Sequence, residues 1–142
     1  MSTLAEPART APATRDRAYR VIDTDIHHSL PDWEALQPYL DEPWRSKIIA
    51  PNSRVGGLGL EAGRSRLDAV PPDGGTPGSD PDFLIQQLIV ENHVDIGILT
   101  GNIYGWNVHP NPEYANAVVA AFNDYTIDKW LTPHAQLRGS IA

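Results

Sequence analysis

A short apolar run at residues 94–100 (VDIGILT), set between two stretches of helical periodicity, narrows the folds open to this chain. It is brief, apolar and rich in β-branched residues, which suits a buried strand. Before it, residues 79–93 (SDPDFLIQQLIVENH) predict a helix. Ser79 or Asp80 can cap it, Pro81 suits the first turn, and Phe83, Leu84, Leu88 and Val90 form an apolar stripe. After it, a long helix is expected from about residue 112 to 130, with Asn111 as cap and Tyr114, Val118, Ala121, Phe122, Tyr125 and Trp130 on one broad face. Residues 19–26 read as an earlier strand, and residues 137–142 (LRGSIA) open like a third. Strand, helices, strand, helix, strand is the order of an α/β protein with a parallel sheet and helical crossovers.

Two short helices are expected after the first strand. In residues 32–40 (DWEALQPYL), Asp32 can cap, Trp33, Leu36 and Leu40 recur at helical spacing, and Pro38 limits regularity. In residues 42–50 (EPWRSKIIA), Pro43 falls in the first turn, where a missing N–H is harmless, and Pro51 ends the segment. Residues 51–80 hold Gly56, Gly57, Gly59, Gly63, Gly74, Gly75 and Gly78 with Pro71, Pro72 and Pro77, and predict a long loop. A loop of that length is a lid, a binding loop or a segment that orders on assembly. Residues 1–18 are expected to be a disordered leader, since Pro7 and Pro12 interrupt the helix a transit peptide needs. The ordered part is then residues 19–142.

The formal charge of −7 excludes nucleic acid as the expected partner, because phosphate recognition needs a clustered basic surface. No cysteine is present, so a bound metal would have to be held by His, Asp or Glu. No segment approaches the roughly 20 apolar residues that span a bilayer, and the opening lacks the apolar core of a secretory signal. No membrane contact is expected, and a cytoplasmic location is the default.

The residues that carry chemistry gather at the end of the first strand. Period-two alternation puts Val21, Asp23, Asp25 and His27 on one face and Ile22, Thr24 and Ile26 on the other. Asp25 and His27 can therefore share one cation. Carboxylate with imidazole suits zinc, or alternatively manganese or iron. The competing reading is a strand-end turn in which Asp25 caps a backbone N–H and His27 is a solvated neighbour. Asp23 could hydrogen bond to a ligand residue or satisfy buried backbone donors. His28 should point to the opposite side, as a surface or supporting residue. After the second strand, Asn102, Tyr104, Trp106, Asn107 and His109 form an aromatic and amide-rich loop. It could contact a planar or carboxylated small molecule, with Asn102, Tyr104 and His109 as binding residues, or pack on neighbouring loops. His93 and His134 lie near helix ends and should be solvated.

The stretch VIDTDIHHSLPDWEALQPYLDEPWRSKI resembles the opening of the amidohydrolase-related family, the metal-dependent TIM-barrel hydrolases and decarboxylases related to aminocarboxymuconate-semialdehyde decarboxylase. That family ends its first strand with a His-x-His, Glu-x-His or Asp-x-His pair, matched here by Asp25-Ile26-His27. Residues 94–142 are similar to the family's second strand, the loop and helix after it, and the start of its third strand. The resemblance implies the first three βα units of a truncated TIM (β/α)8 barrel, with Asp25 and His27 as metal ligands. It also implies a metal-activated water or a metal-polarised carboxylate, hence hydrolysis or nonoxidative decarboxylation of a small molecule; a homo-oligomer is a further expectation. The family's two further ligands, a His on a middle strand and an Asp on the last, have no counterparts in this sequence. The alternative is a noncatalytic remnant or an interaction module that pairs its exposed strand with another chain.

Overall fold

The computed structural model describes residues 18–48, 66–101 and 109–141. Three short strands, β1 (Ile22–Ile26), β2 (Ile96–Leu99) and β3 (Leu137–Gly139), form one parallel sheet in the order β1-β2-β3. The chain is thus mixed α/β, with helical segments carrying it from each strand to the next. All three strands are shorter than the sequence predicts. β1 starts at Ile22 because β2 begins to pair at Ile96, and just before that point Asp95 takes over, its carboxylate accepting from Val21 N at 2.7 Å. Tyr19, ahead of the pairing, stays 70% exposed.

The two expected helices after β1 are present in compact form. Residues Glu34–Tyr39 make a 3-10 helix opened by Asp32, whose Oδ1 accepts from Ala35 N at 2.9 Å. A five-residue helix, α1 (Trp44–Ile48), follows. Residues 1–17 of the leader, residues 49–50 at the end of the second expected helix, residues 51–65 of the Gly/Pro-rich stretch, residues 102–108 and residue 142 lie outside the described residues. The rest of that stretch is a 3-10 turn at Leu67–Ala69 followed by tight turns that come back to the exit of β1, where Ser29 N donates to Gly78 O at 2.8 Å.

Helix α2 (Pro81–Leu84) is capped as its sequence predicts, with Asp80 Oδ1 accepting from Phe83 N at 3.0 Å. From Ile85 to Glu91 it widens into a π-helix. That change alters the expected stripe: Leu84 and Ile89 are buried, whereas Val90 is 39% exposed. A π-helix holds more residues per turn than an α-helix, which shifts the packed face: Leu84 and Ile89 are enclosed, Ile85 and Leu88 pack partly against the core, and Val90 turns outward. The long helix α3 (Pro112–Thr126) repeats the pattern, capped by Asn111 Oδ1 at 3.0 Å from Tyr114 N and extended by a π segment, Ile127–Leu131. Its buried residues include all six predicted for the apolar face, with Trp130, five positions after Tyr125, fully enclosed.

The core lies between one face of the sheet and these helices. Ile26, Leu99 and Leu137 from the strands join Leu36, Leu40 and Ile48 from the first helical pair, Leu84 and Ile89 from α2 and its extension, and Val118, Phe122 and Tyr125 from α3. Burying about a dozen such side chains supplies the dominant stabilising contribution, on the order of 1.5–3 kcal/mol for each. Along β2 the alternate residues Ile96, Ile98 and Thr100 are only half-buried, and Arg138, paired with Ile98, is exposed. The sheet therefore has one face packed by helices and one face more open to solvent. No helix among the described residues is long and apolar enough to cross a membrane.

Candidate functional site

Asp25 and His27 leave the end of β1 on the same side. His27 Nε2 lies 3.2 Å from Asp25 Oδ1, and both side chains reach solvent, at 42% and 73% exposure. The adjacency predicted from i, i+2 spacing is present even though strict alternation is not, because the β1–β2 register shifts between Asp23 and Ile26. Asp23 contributes to that irregularity: its Oδ1 accepts from Asp25 N at 3.1 Å, so it satisfies a backbone donor and braces the strand end.

His27 stands between two acceptors, the Gly101 carbonyl at Nδ1 and the Asp25 carboxylate at Nε2. Its Nδ1 is 3.1 Å from Gly101 O, and a carbonyl can only accept, so Nδ1 carries the hydrogen in that bond. Nε2 of the neutral ring then presents a lone pair to the Asp25 carboxylate. Two electron-rich atoms at this separation call for a cation between them, either a proton on Nε2 or a metal ion. Donors bound to one zinc-like ion at about 2.1 Å each stand about 3.0 to 3.4 Å apart for angles between octahedral and tetrahedral, a range that includes the observed separation. The pair thus fits as half of a metal site. Among the described residues no group of three or more His, Asp or Glu side chains is placed to hold an ion.

Two glycines shape this strand end. Gly101 has φ +76°, and a Cβ there would meet Phe122 Cε1 at 2.9 Å, so a side chain would disturb the turn that presents its carbonyl to His27. Gly78 also has φ +76°, and its Cβ would lie 2.7 Å from His27 O. Thr100, between β2 and Gly101, donates its N–H to Ile26 O at 2.9 Å and brings its Oγ1 to 3.2 Å from Asp25 Oδ1. Neither Thr100 nor Gly101 stands out in the sequence as a site residue. Their place beside Asp25 and His27 depends on the strand register, which a single sequence does not reveal.

A cleft of about 650 Å³ opens alongside, lined by Asp23, Asp25 and His27 from β1 and by Arg66, Asp68 and Gln87 among others. Arg66 and Asp68 pair across its wall, with Arg66 Nε 2.9 Å from Asp68 Oδ1. Their hydrogen bond raises the Arg66 pKa and lowers that of Asp68. Gln87 Nε2 donates to Asp68 O at 2.7 Å and ties this turn to the α2 extension. The described part of the Gly/Pro-rich stretch therefore forms a wall of the cleft.

His28 departs from the surface or supporting position expected of it. It is 1% exposed, with its ring 5.0 Å from that of Phe122 and 5.1 Å from that of Trp130. Thr126 Oγ1 gives its hydrogen to Phe122 O at 2.8 Å, so the 2.8 Å contact between His28 Nε2 and Thr126 Oγ1 has the imidazole as donor. Nδ1 is then a bare acceptor, buried without a hydrogen-bond partner. Burial, followed by the neighbouring His27, lowers the His28 pKa to about 4. His28 is a neutral core residue that locks the β1 exit onto α3. The signal the sequence offered was its phase, opposite to His27 and hence toward the helices.

Asn102 and Tyr104, with Trp106 and Asn107, lie outside the described residues. His109 stands at the start of α3, its Nδ1 3.1 Å from the backbone of Asn111 and its ring 5.3 Å from that of Tyr114. No family model matches the chain, and no curated protein matches it.

Proposed function

We propose that this chain supplies the first metal-binding strand of an amidohydrolase-type active site, with Asp25 and His27 holding a divalent cation, zinc or alternatively manganese or iron. The observation that carries the reading is the 3.2 Å approach of His27 Nε2 to Asp25 Oδ1 at a parallel strand end, with the imidazole Nδ1 committed to Gly101 O. The consecutive order of three parallel strands supports the further proposal that they are the first three βα units of a TIM barrel, whose active sites gather at the C-terminal strand ends. When bound, such an ion lowers the pKa of a water or polarises a carboxylate or carbonyl, which serves hydrolysis or nonoxidative decarboxylation.

The chain's own residues have three tasks in this scheme. Asp25 and His27 provide one anionic and one neutral donor, Gly101 O orients the imidazole, and the cleft beside them receives a small carboxylated or aromatic molecule. Asn102, Tyr104 and His109 are proposed as further substrate contacts on their residue types alone. A second reading, a noncatalytic interaction module, is favoured by one observation: the described residues bring only two donors together. Metal analysis of the purified full chain separates the two. Stoichiometric zinc or manganese, reduced at least tenfold in Asp25→Ala and in His27→Ala, supports the site. A metal-free folded chain that binds no added zinc rejects it.

A further inference from the structure

We infer that Thr100 and Gly101, the two residues leaving β2, act together as the positioning element of the Asp25–His27 pair, a reading that rests on the proposed metal site. Thr100 acts through its side chain and Gly101 through its carbonyl. The Thr100 backbone is anchored, since its N–H donates to Ile26 O at 2.9 Å. Its Oγ1 then has two acceptors in reach, Asp25 Oδ1 at 3.2 Å and Ile26 O at 3.4 Å. The Ile26 carbonyl already receives the Thr100 N–H, and the carboxylate is both nearer and charged, so the hydroxyl hydrogen goes to Asp25. One residue later Gly101 O accepts from His27 Nδ1 at 3.1 Å. Each of the two donor side chains of β1 is thus held by one of two successive residues of the neighbouring strand.

The chemistry of metal sites gives this arrangement a purpose. A ligand imidazole must present one nitrogen to the ion, and its other N–H is held by an acceptor that sets both ring orientation and tautomer. Gly101 O has that role for His27. A carboxylate of 73% exposure would otherwise sample many rotamers, and the Thr100 hydroxyl narrows them to those that face the imidazole. Thr100 and Gly101 are positioning residues, and they touch neither ion nor substrate.

The test uses the full chain, zinc titrated by calorimetry, and cobalt(II) as a spectroscopic probe. Thr100→Val is expected to weaken zinc binding roughly 10- to 100-fold and to change the cobalt ligand-field bands, while Thr100→Ser restores both. Imidazole nitrogen shifts of the metal-free chain should show hydrogen on His27 Nδ1 in the parent and in each folded variant. Should Thr100→Val fail to fold, Thr100→Ala takes its place against Thr100→Ser. Zinc affinity unchanged in Thr100→Val or Thr100→Ala, with metal lost in Asp25→Ala and His27→Ala, overturns the role of Thr100 and leaves the metal site standing. A neutral His27 ring with hydrogen only on Nε2 overturns the role of Gly101. Zinc binding unaffected by Asp25→Ala and His27→Ala overturns the metal site itself, and this inference with it.

Discussion

At residue scale, two adjacent histidines meet different surroundings. His27 donates from Nδ1 to a carbonyl and stays half-exposed, whereas His28 donates from Nε2 to Thr126 and leaves a dry lone pair at Nδ1. Protonating His28 would place a charge and an unmet N–H among Phe122, Trp130 and Thr126, next to His27. The pH consequence follows from the direction of the shift. The folded-state pKa of about 4 lies below the ordinary 6.5, so between these values the unfolded chain binds more protons. Stability from this group is therefore fully present above about pH 6.5 and is lost as pH falls toward 4, by roughly 3 kcal/mol in total. Denaturant unfolding between pH 7.5 and 5 would reveal the slope, and the His28 Cε1 proton should show no titration midpoint near 6.5. A midpoint there would refute the buried neutral state.

At the scale of elements, the caps, the existence of the strands and the buried face of α3 are legible in the sequence, whereas the packed face of the helix after Asp80 is legible only in part. Asp80 and Asn111 cap as a Ser/Asp/Asn before proline suggests, each contributing about 1 kcal/mol. The π segments at Ile85–Glu91 and Ile127–Leu131 escaped the reading, because an apolar stripe is sought at 3.6 residues per turn and a wider helix moves it. Mutation separates the two registers. Ile89→Ala should cost about 2–5 kcal/mol as a core truncation, and Val90→Ala less than about 1 kcal/mol. Equal losses at the two positions, measured by urea unfolding, would contradict the burial of Ile89 and the exposure of Val90. The strand pair Asp25 and His27 was found from spacing alone, yet their holders Thr100 and Gly101 were not, since only the observed pairing of Ile26 with Leu99 brings those ends together.

At the scale of the whole molecule, the order of elements predicted a parallel α/β sheet, and that is the architecture found. What the sequence could not fix was how far each strand extends, because pairing begins and ends with the partner and not with the apolar run. β2 is the middle strand, with Gly97 N donating to Gln136 O and Thr100 N to Ile26 O on its two sides. Amide exchange should therefore be slowest in β2, and faster at the starts of β1 and β3. Uniform exchange across the three strands would speak against a sheet built around β2. One contact made by the Gly/Pro-rich stretch has a mechanical consequence. The turn at Gly78 presses against the main chain of His27 with no room for a methyl group and takes a hydrogen bond from Ser29. Thr76 Oγ1 adds a second tie, donating to Pro31 O at 2.9 Å, so the turns from residue 71 to 80 are bound to the backbone that carries His27 at two points and a shift of the cleft wall moves the strand exit with it.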